Sequence, residues 1–254
     1  MQRYFITLSY DGAGYHGWQI QPNGISVQER LQQALSTLLR QPIEVVGAGR
    51  TDAGVHAAMM VAHFDLPTAD DGDAVSVPEE FSPKQLAYRL NRILPRDIAV
   101  QRVEAVAPEM HARFSAVSRT YYYYLHTEKN PFLRTTSWET HYQLDFPAMN
   151  EAAAWLLTQS DFASFCKVGA DVKTTLCQLT RAEWVQLSPT SWRFEITANR
   201  FLRNMVRAVV GTLVEVGRHR ITLADFQRIV ESKRRTAAGE SMPAHALFLV
   251  DIKY

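Results

Sequence analysis

The feature that most constrains the fold of this chain is an order of secondary-structure signals that occurs twice. Tyr4, Ile6, Leu8 and Tyr10 stand at alternate positions and predict a strand. Ser26 and Glu29 form a capping-box pattern, and Val27, Leu31, Leu35 and Leu38 then mark one face of a helix. Ile43 to Val46 and Met59 to Phe64 read as two further strands, Pro83 to Leu94 as a helix and Ile98 to Val106 as a closing strand. The second half begins in the same way, with a strand from Tyr121 to Leu125 and a helix from Phe146 to Leu157. A hairpin follows around Ser188 to Ser191, with Trp192, Phe194, Ile196 and Ala198 on its buried side. Helices then run from Leu202 to Val216 and, after Thr222, from Leu223 to Val230, before a last strand from Leu247 to Ile252.

Each half therefore reads β-α-β-β-α-β, the split β-α-β order, with one extra helix in the second. This predicts an α+β protein of two ferredoxin-like, RNA-recognition-like halves, residues 1–107 and 108–254, sharing an antiparallel sheet around a central cleft. The order of elements carries the repeat; the residues of the two halves show little similarity.

The most unusual local stretch lies between the second and third predicted strands. Residues 47 to 56 read Gly-Ala-Gly-Arg-Thr-Asp-Ala-Gly-Val-His, so Asp52 sits among Gly47, Gly49 and Gly54, close to Arg50. Glycine serves where a backbone turns tightly or admits a ligand closely, so this is a loop that presents its carboxylate.

Net charge of +1 conceals a segregation. Residues 65 to 80 carry Asp65, Asp70, Asp71, Asp73, Glu79 and Glu80 and no Lys or Arg, whereas residues 193 to 235 carry ten basic and four acidic side chains. A basic region of this kind attracts a polyanion locally, although solvated surface faces explain the charge pattern equally well. No apolar run approaches the roughly eighteen residues of a membrane span, and the chain enters a strand pattern without a signal-peptide stretch, so a cytoplasmic protein without a membrane partner is expected. Cys166 and Cys177 form no Cys-x-x-Cys pair and read as reduced, buried thiols.

Three further groups carry possible chemistry. In Arg119-Thr120-Tyr121-Tyr122-Tyr123, period-two alternation sends Tyr121 and Tyr123 to one face and Tyr122 and Tyr124 to the other. Tyrosines suit strands on propensity alone, and they also supply rings on which bases stack. In the stretch from Phe201 to Arg207, Leu202, Met205, Val206, Val209 and Leu213 form an apolar side and Arg203 and Arg207 share another. A single helix arginine is commonly a solvated or packing residue; an inward Arg207 would reach a carboxylate across the cleft. Pro243-Ala244-His245-Ala246 places small residues before the last strand, as suited to packing as to a pocket wall.

Other site types fit poorly. There is no phosphate-binding Gly-x-x-x-x-Gly-Lys-Ser/Thr loop, and the glycines of the Asp52 loop lack dinucleotide-binding spacing. Asp52, His56 and His63 have no familiar metal-ligand spacing and no evident fourth ligand, so no metal is expected.

The motifs resemble those of the tRNA pseudouridine synthase A family. The resemblance rests on Gly49 to His56, preceded by Tyr10-Asp11-Gly12 and Gly17-Trp18-Gln19 and followed by His111-Ala112-Arg113-Phe114-Ser115. It continues through Arg119 to Tyr123, Phe201 to Arg207 and Leu247 to Val250, in matching order and spacing. It implies conversion of uridine to pseudouridine at positions 38, 39 and 40 of the tRNA anticodon stem-loop, without cofactor, by a homodimer sharing one tRNA. Carried over, Asp52 matches the catalytic aspartate, Tyr121 the base-stacking tyrosine, Arg207 the arginine that pairs with the aspartate, and Arg50 an arginine that assists base flipping. Leu247 joins the substrate-binding residues, and Arg200, Arg203, Arg218 and Arg220 are candidates for the tRNA backbone. Apart from the resemblance, Tyr15 and His16 are placed to meet RNA, though a strand-to-helix connection needs no such purpose. The alternatives are a noncatalytic RNA-binding protein, which has no need of the flanked aspartate, and a metal hydrolase, which chelator would inactivate.

Overall fold

The computed structural model describes residues 1–67, 82–170 and 172–254. Along the chain these form β1 (Gln2–Tyr10), α1 (Val27–Leu39), β2 (Val46–Gly47), β3 (His56–Leu66), α2 (Pro83–Ile93), β4 (Ile98–Val106), β5 (Ser118–His126), β6 (Trp138–Glu139), α3 (Phe146–Leu156), β7 (Leu179–Ser188), β8 (Ser191–Ala198), α4 (Met205–Gly217), α5 (Leu223–Glu231) and β9 (Leu247–Lys253). The fold is α+β, with two compact units: residues 1–117 with 249–254, and residues 118–248. Among the described residues no helix is long and apolar enough to cross a membrane.

In the first unit β1 lies between β3 and β4, antiparallel to both, and β9 lies beside β3. Tyr4, Ile6, Leu8 and Tyr10 are all buried, as are Leu31 and Leu35 of α1 and Leu86 and Leu90 of α2. The opposite face of β1 is also covered. Phe5 and Thr7 are buried, Tyr254 packs on Phe5 with ring centroids 5.0 Å apart, and Arg3 forms a two-pronged bond to Asp65 at 2.8 Å. Of the acidic stretch, Asp65 is thus paired, while Asp70, Asp71, Asp73, Glu79 and Glu80 lie outside the described residues.

The strand expected from Ile43 to Val46 shrinks to the two residues of β2. Ile43 and Val45 are buried as their alternation predicts, but their backbone groups bond to side chains of α1. Ser36 Oγ accepts from Ile43 N–H at 3.0 Å, Gln32 Oε1 accepts from Val45 N–H at 3.0 Å, and Gln28 donates to Val45 O at 2.7 Å. Residues 28, 32 and 36 lie four apart on one helix face, and this ladder of side chains replaces a strand partner.

In the second unit β8 pairs antiparallel with β5 and β7, and β6 adds to β5 in parallel. The helix-covered core is aromatic: Phe146 of α3 stacks on Trp192 with centroids 3.6 Å apart and meets Trp184 edge-on. Helix α4 begins three residues later than Leu202 because Asn204 takes left-handed backbone angles, φ 67°, that no α-helix continues through. The helix is also buried beyond one apolar side, Ala208, Val210, Gly211, Thr212, Val214 and Val216 being enclosed as well. Residues 239–242 lie over it: Glu240 O would be 1.9 Å from a Cβ at Gly211, so only glycine admits the crossing. Cys166 and Cys177 are free and buried, and burial pushes the Cys177 thiol up to about 11.

Candidate active site

Asp52 is half-buried at the start of a tight turn at the end of the loop between β2 and β3. Val55 N–H donates to Asp52 O at 3.2 Å, and Gly54 closes the turn at φ 78°. The preceding residue is fastened to the sheet, because the hydroxyls of Thr51 and Tyr10, the last residue of β1, meet at 2.9 Å in a buried pair. A second strap comes from residues 12–18. Trp18 N–H donates to Thr51 O at 3.4 Å, Gly54 N–H donates to Tyr15 O at 3.3 Å, and Gly12 N–H donates to the His56 ring at 3.1 Å.

Two glycines make this strap possible. A Cβ at Gly17, where φ is 87°, would lie 2.3 Å from Thr51 O, and one at Gly12 would lie 2.0 Å from Val55 O. Gly49 differs, with open space around it and no positive φ. The strap is anchored in turn at Asp97, whose carboxylate accepts the Tyr15 hydroxyl at 2.7 Å and whose carbonyl accepts Asp11 N–H at 2.9 Å. Burial, then the Asp97 carboxylate, pushes the Tyr15 phenol well above its usual value. Tyr15 is therefore a buried anchor and does not face RNA as expected; His16 is exposed.

Arg50 is exposed two residues before Asp52. The two histidines near the loop are otherwise engaged: His56 faces Gly12 and Asp11, and His63 accepts Ala112 N–H at 3.2 Å. Among the described residues no three His, Cys, Asp or Glu side chains gather in a metal-holding group.

In the second unit Tyr121 sits on β5 opposite Ile196, buried, its ring edge-on to Phe201 at 5.1 Å between centroids. Arg207 lies in the first turn of α4 and is half-buried. Its Nε donates to Met242 O at 2.6 Å, and Met242 N–H donates back to Arg207 O at 3.2 Å. The 239–242 segment is itself held by Gly239 N–H on Thr212 Oγ1 at 2.9 Å and by Arg235 on Ser241 Oγ at 2.9 Å. Leu247 is buried at the head of β9, following a 3-10 turn at Ala244–Ala246 that leaves Ala246 enclosed and His245 3.3 Å from Ser137 O.

The backbone candidates differ in availability. Arg203 is exposed and Arg200 half-buried. Arg218 bonds Glu215 at 3.0 Å with its guanidinium 3.7 Å from the Tyr142 ring centroid, and Arg220 lies 3.5 Å from the same glutamate. Elsewhere in the basic stretch Arg193 pairs with Glu195 and Lys233 with Asp161. Much of that positive charge is compensated locally.

The sequence reading singled out Asp52, Tyr121 and Arg207, and their supports are what it missed. The Tyr10 hydroxyl, Asp97, Gly211 and Met242 act at long range. Gly12 and Gly17 did carry a signal, standing in the motifs Tyr10-Asp11-Gly12 and Gly17-Trp18-Gln19.

The first unit thus holds a carboxylate on a strapped turn, and the second holds a strand tyrosine and a tethered arginine, side chains suited to chemistry on a ligand. Comparison with known proteins narrows this. The model of a family described as tRNA pseudouridine synthase matches residues 6–115 and 152–254. Proteins named tRNA pseudouridine synthase A from Bacteroides fragilis and Porphyromonas gingivalis are 54% and 52% identical to the whole chain, covering 97% and 98% of their own lengths. One from Bacillus subtilis is 39% identical over 98% of this chain and 97% of its own. The chain belongs to the tRNA pseudouridine synthase family, isomerases that form pseudouridine in tRNA.

Proposed function

We propose that the protein isomerises uridine to pseudouridine at positions 38, 39 and 40 of the tRNA anticodon stem-loop, with Asp52 as the catalytic carboxylate and no metal or energy cofactor. The observation that carries the reading is the fastening of the Asp52 turn through Thr51, by the Tyr10 hydroxyl on one side and Trp18 N–H on the other. A catalytic group held this way loses little conformational freedom when substrate arrives.

The reaction breaks the bond from N1 to C1′, turns the uracil and joins C5 to C1′; C5 releases a proton and N1 gains one, so the net change is an isomerisation. Asp52 serves either by bonding to C1′ and being displaced by C5, or by removing a sugar proton that is later returned. Either step uses the ionised carboxylate, which a neighbouring guanidinium favours. Arg207 is that partner in this reading, and its tether to Met242 supports a fixed geometry. Tyr121 stacks on the loosened uracil, Leu247 contacts it, and Arg50 assists flipping. Extruding the nucleotide costs a few kcal/mol, offset by phosphate contacts at Arg200, Arg203, Arg218 and Arg220. The same reading has the protein in the cytoplasm as a homodimer sharing one tRNA.

Carbodiimide labelling and primer extension on an unmodified tRNA transcript test the reading. New stops corresponding to positions 38 to 40, undiminished by chelator, are expected. Stops elsewhere only, or their loss in chelator, would contradict it.

A further inference from the structure

Residues 111–115 of the first unit form a turn closed on itself. Ser115 N–H donates to His111 O at 2.9 Å, His111 N–H donates to Ser115 Oγ at 2.9 Å, and His111 Nδ1 accepts N–H groups from Arg113 and Phe114 at 3.1 and 3.3 Å. The turn is also fixed from behind. Ala112 is fully buried, its N–H donating to His63 and its carbonyl accepting the Tyr254 hydroxyl at 2.8 Å, while the His63 and His111 rings meet edge-on at 4.6 Å.

This well-anchored turn holds a phenyl ring out to solvent. Phe114 is 76% exposed, and its ring rests on His111, centroids 4.4 Å apart, with the Arg113 guanidinium 5.5 Å from its centroid. A ring left in water contributes nothing to the core, so burial does not explain it. Among the described residues 107–117, Phe114 and Val117 are the exposed large hydrophobic side chains, far short of the roughly 800 Å² per partner of a standard protein interface. One flat ring beside one guanidinium matches one nucleotide: the ring takes a base face and the cation suits a phosphate.

We propose that Phe114, flanked by Arg113, is a stacking platform for an unpaired base of the bound RNA, separate from the uridine that reacts. The proposal rests on the tRNA-modifying reading above. A preformed turn suits this use, because the ring needs no ordering when RNA binds.

The full-length protein carrying Phe114→Leu or Phe114→Trp tests it, with fluorescence anisotropy on an anticodon stem-loop RNA and on a blunt duplex without unpaired nucleotides. Stacking of about 1–3 kcal/mol per base corresponds to a roughly 5- to 150-fold effect. Phe114→Leu is expected to weaken stem-loop binding in that range and to raise KM similarly, with kcat at saturating RNA within about threefold. Phe114→Trp restores binding, the melting temperature is unchanged, and duplex binding changes less than twofold. Stem-loop binding within twofold of wild type, an equal loss on the duplex, or a change in oligomeric state by sedimentation without RNA would each overturn the platform. A wild-type protein that forms no pseudouridine would instead sink the parent reading, so the two failures are distinguishable.

Discussion

The hydroxyls of Tyr10 and Thr51 meet 2.9 Å apart in a buried pair, one residue from Asp52. Tyr10 ends a strand paired on both sides, so this bond ties the candidate catalytic turn to the sheet. Tyr10→Phe keeps the ring and leaves the Thr51 hydroxyl unpaired. A stability loss of about 1–2 kcal/mol is expected, with kcat lowered roughly tenfold and KM within threefold, since the change loosens the reacting group more than the binding surface. Denaturant melts and steady-state kinetics check both.

Gly17 and Gly49 make opposite predictions although both flank the turn. Gly17→Ala adds a Cβ 2.3 Å from Thr51 O at a φ of 87°, so it should destabilise the protein by more than about 2 kcal/mol and remove activity. Gly49→Ala meets open space and should melt within a degree or two of wild type. A large loss of activity in Gly49→Ala without loss of stability would mark Gly49 as a point of close substrate approach.

Gly211 acts on Arg207 from one turn further along α4. A methyl group there displaces Glu240 O, and with it the segment whose Met242 carbonyl holds the guanidinium. Gly211→Ala is expected to cost about 1–3 kcal/mol from overpacking and to reduce kcat at least tenfold at temperatures where the protein remains folded. Near-wild-type kcat would show that the tether is dispensable.

His63 gives the fold an acid sensitivity. Burial, and secondarily the charge of Arg3, lowers its pKa to about 4 from the usual 6.5 of a histidine. Between those values the unfolded chain binds a proton that the folded protein refuses, so stability falls as pH drops from 6.5 towards 4. His111 is shifted in the same direction by burial and Arg3. Asp65 acts in a lower window: its hydrogen bond to Arg3 depresses the carboxyl, so its contribution is present above 3.8 and lost as pH falls below it. His63→Asn retains an acceptor for Ala112 N–H and should flatten the stability curve between pH 4 and 6.5. An unchanged slope would assign it to other groups.

The parts of the fold written in local periodicity were legible in the sequence. Strand β1, helix α1 with its Ser26 cap and the β7–β8 hairpin all follow from nearest-neighbour chemistry. Residues 43–45 were misread as strand because their burial alternates, while their hydrogen bonds go to side chains spaced along a helix. The start of α4 was misplaced because Asn204 adopts a left-handed conformation tied to Ser241, a contact 37 residues away in sequence. The candidate site divides similarly. Asp52 announces itself through its glycines, whereas Asp97 and Met242 are ordinary residues made important by what the fold brings beside them.

The most direct test of the central claim is tritium release from tRNA labelled at uridine C5, measured for wild type and Asp52→Asn alongside tRNA binding. The account predicts release by wild type, none above background by Asp52→Asn, and tRNA affinity within a few-fold of wild type, because the substitution removes the reacting carboxylate and leaves the strapped turn in place. Release by Asp52→Asn at the wild-type rate would contradict it.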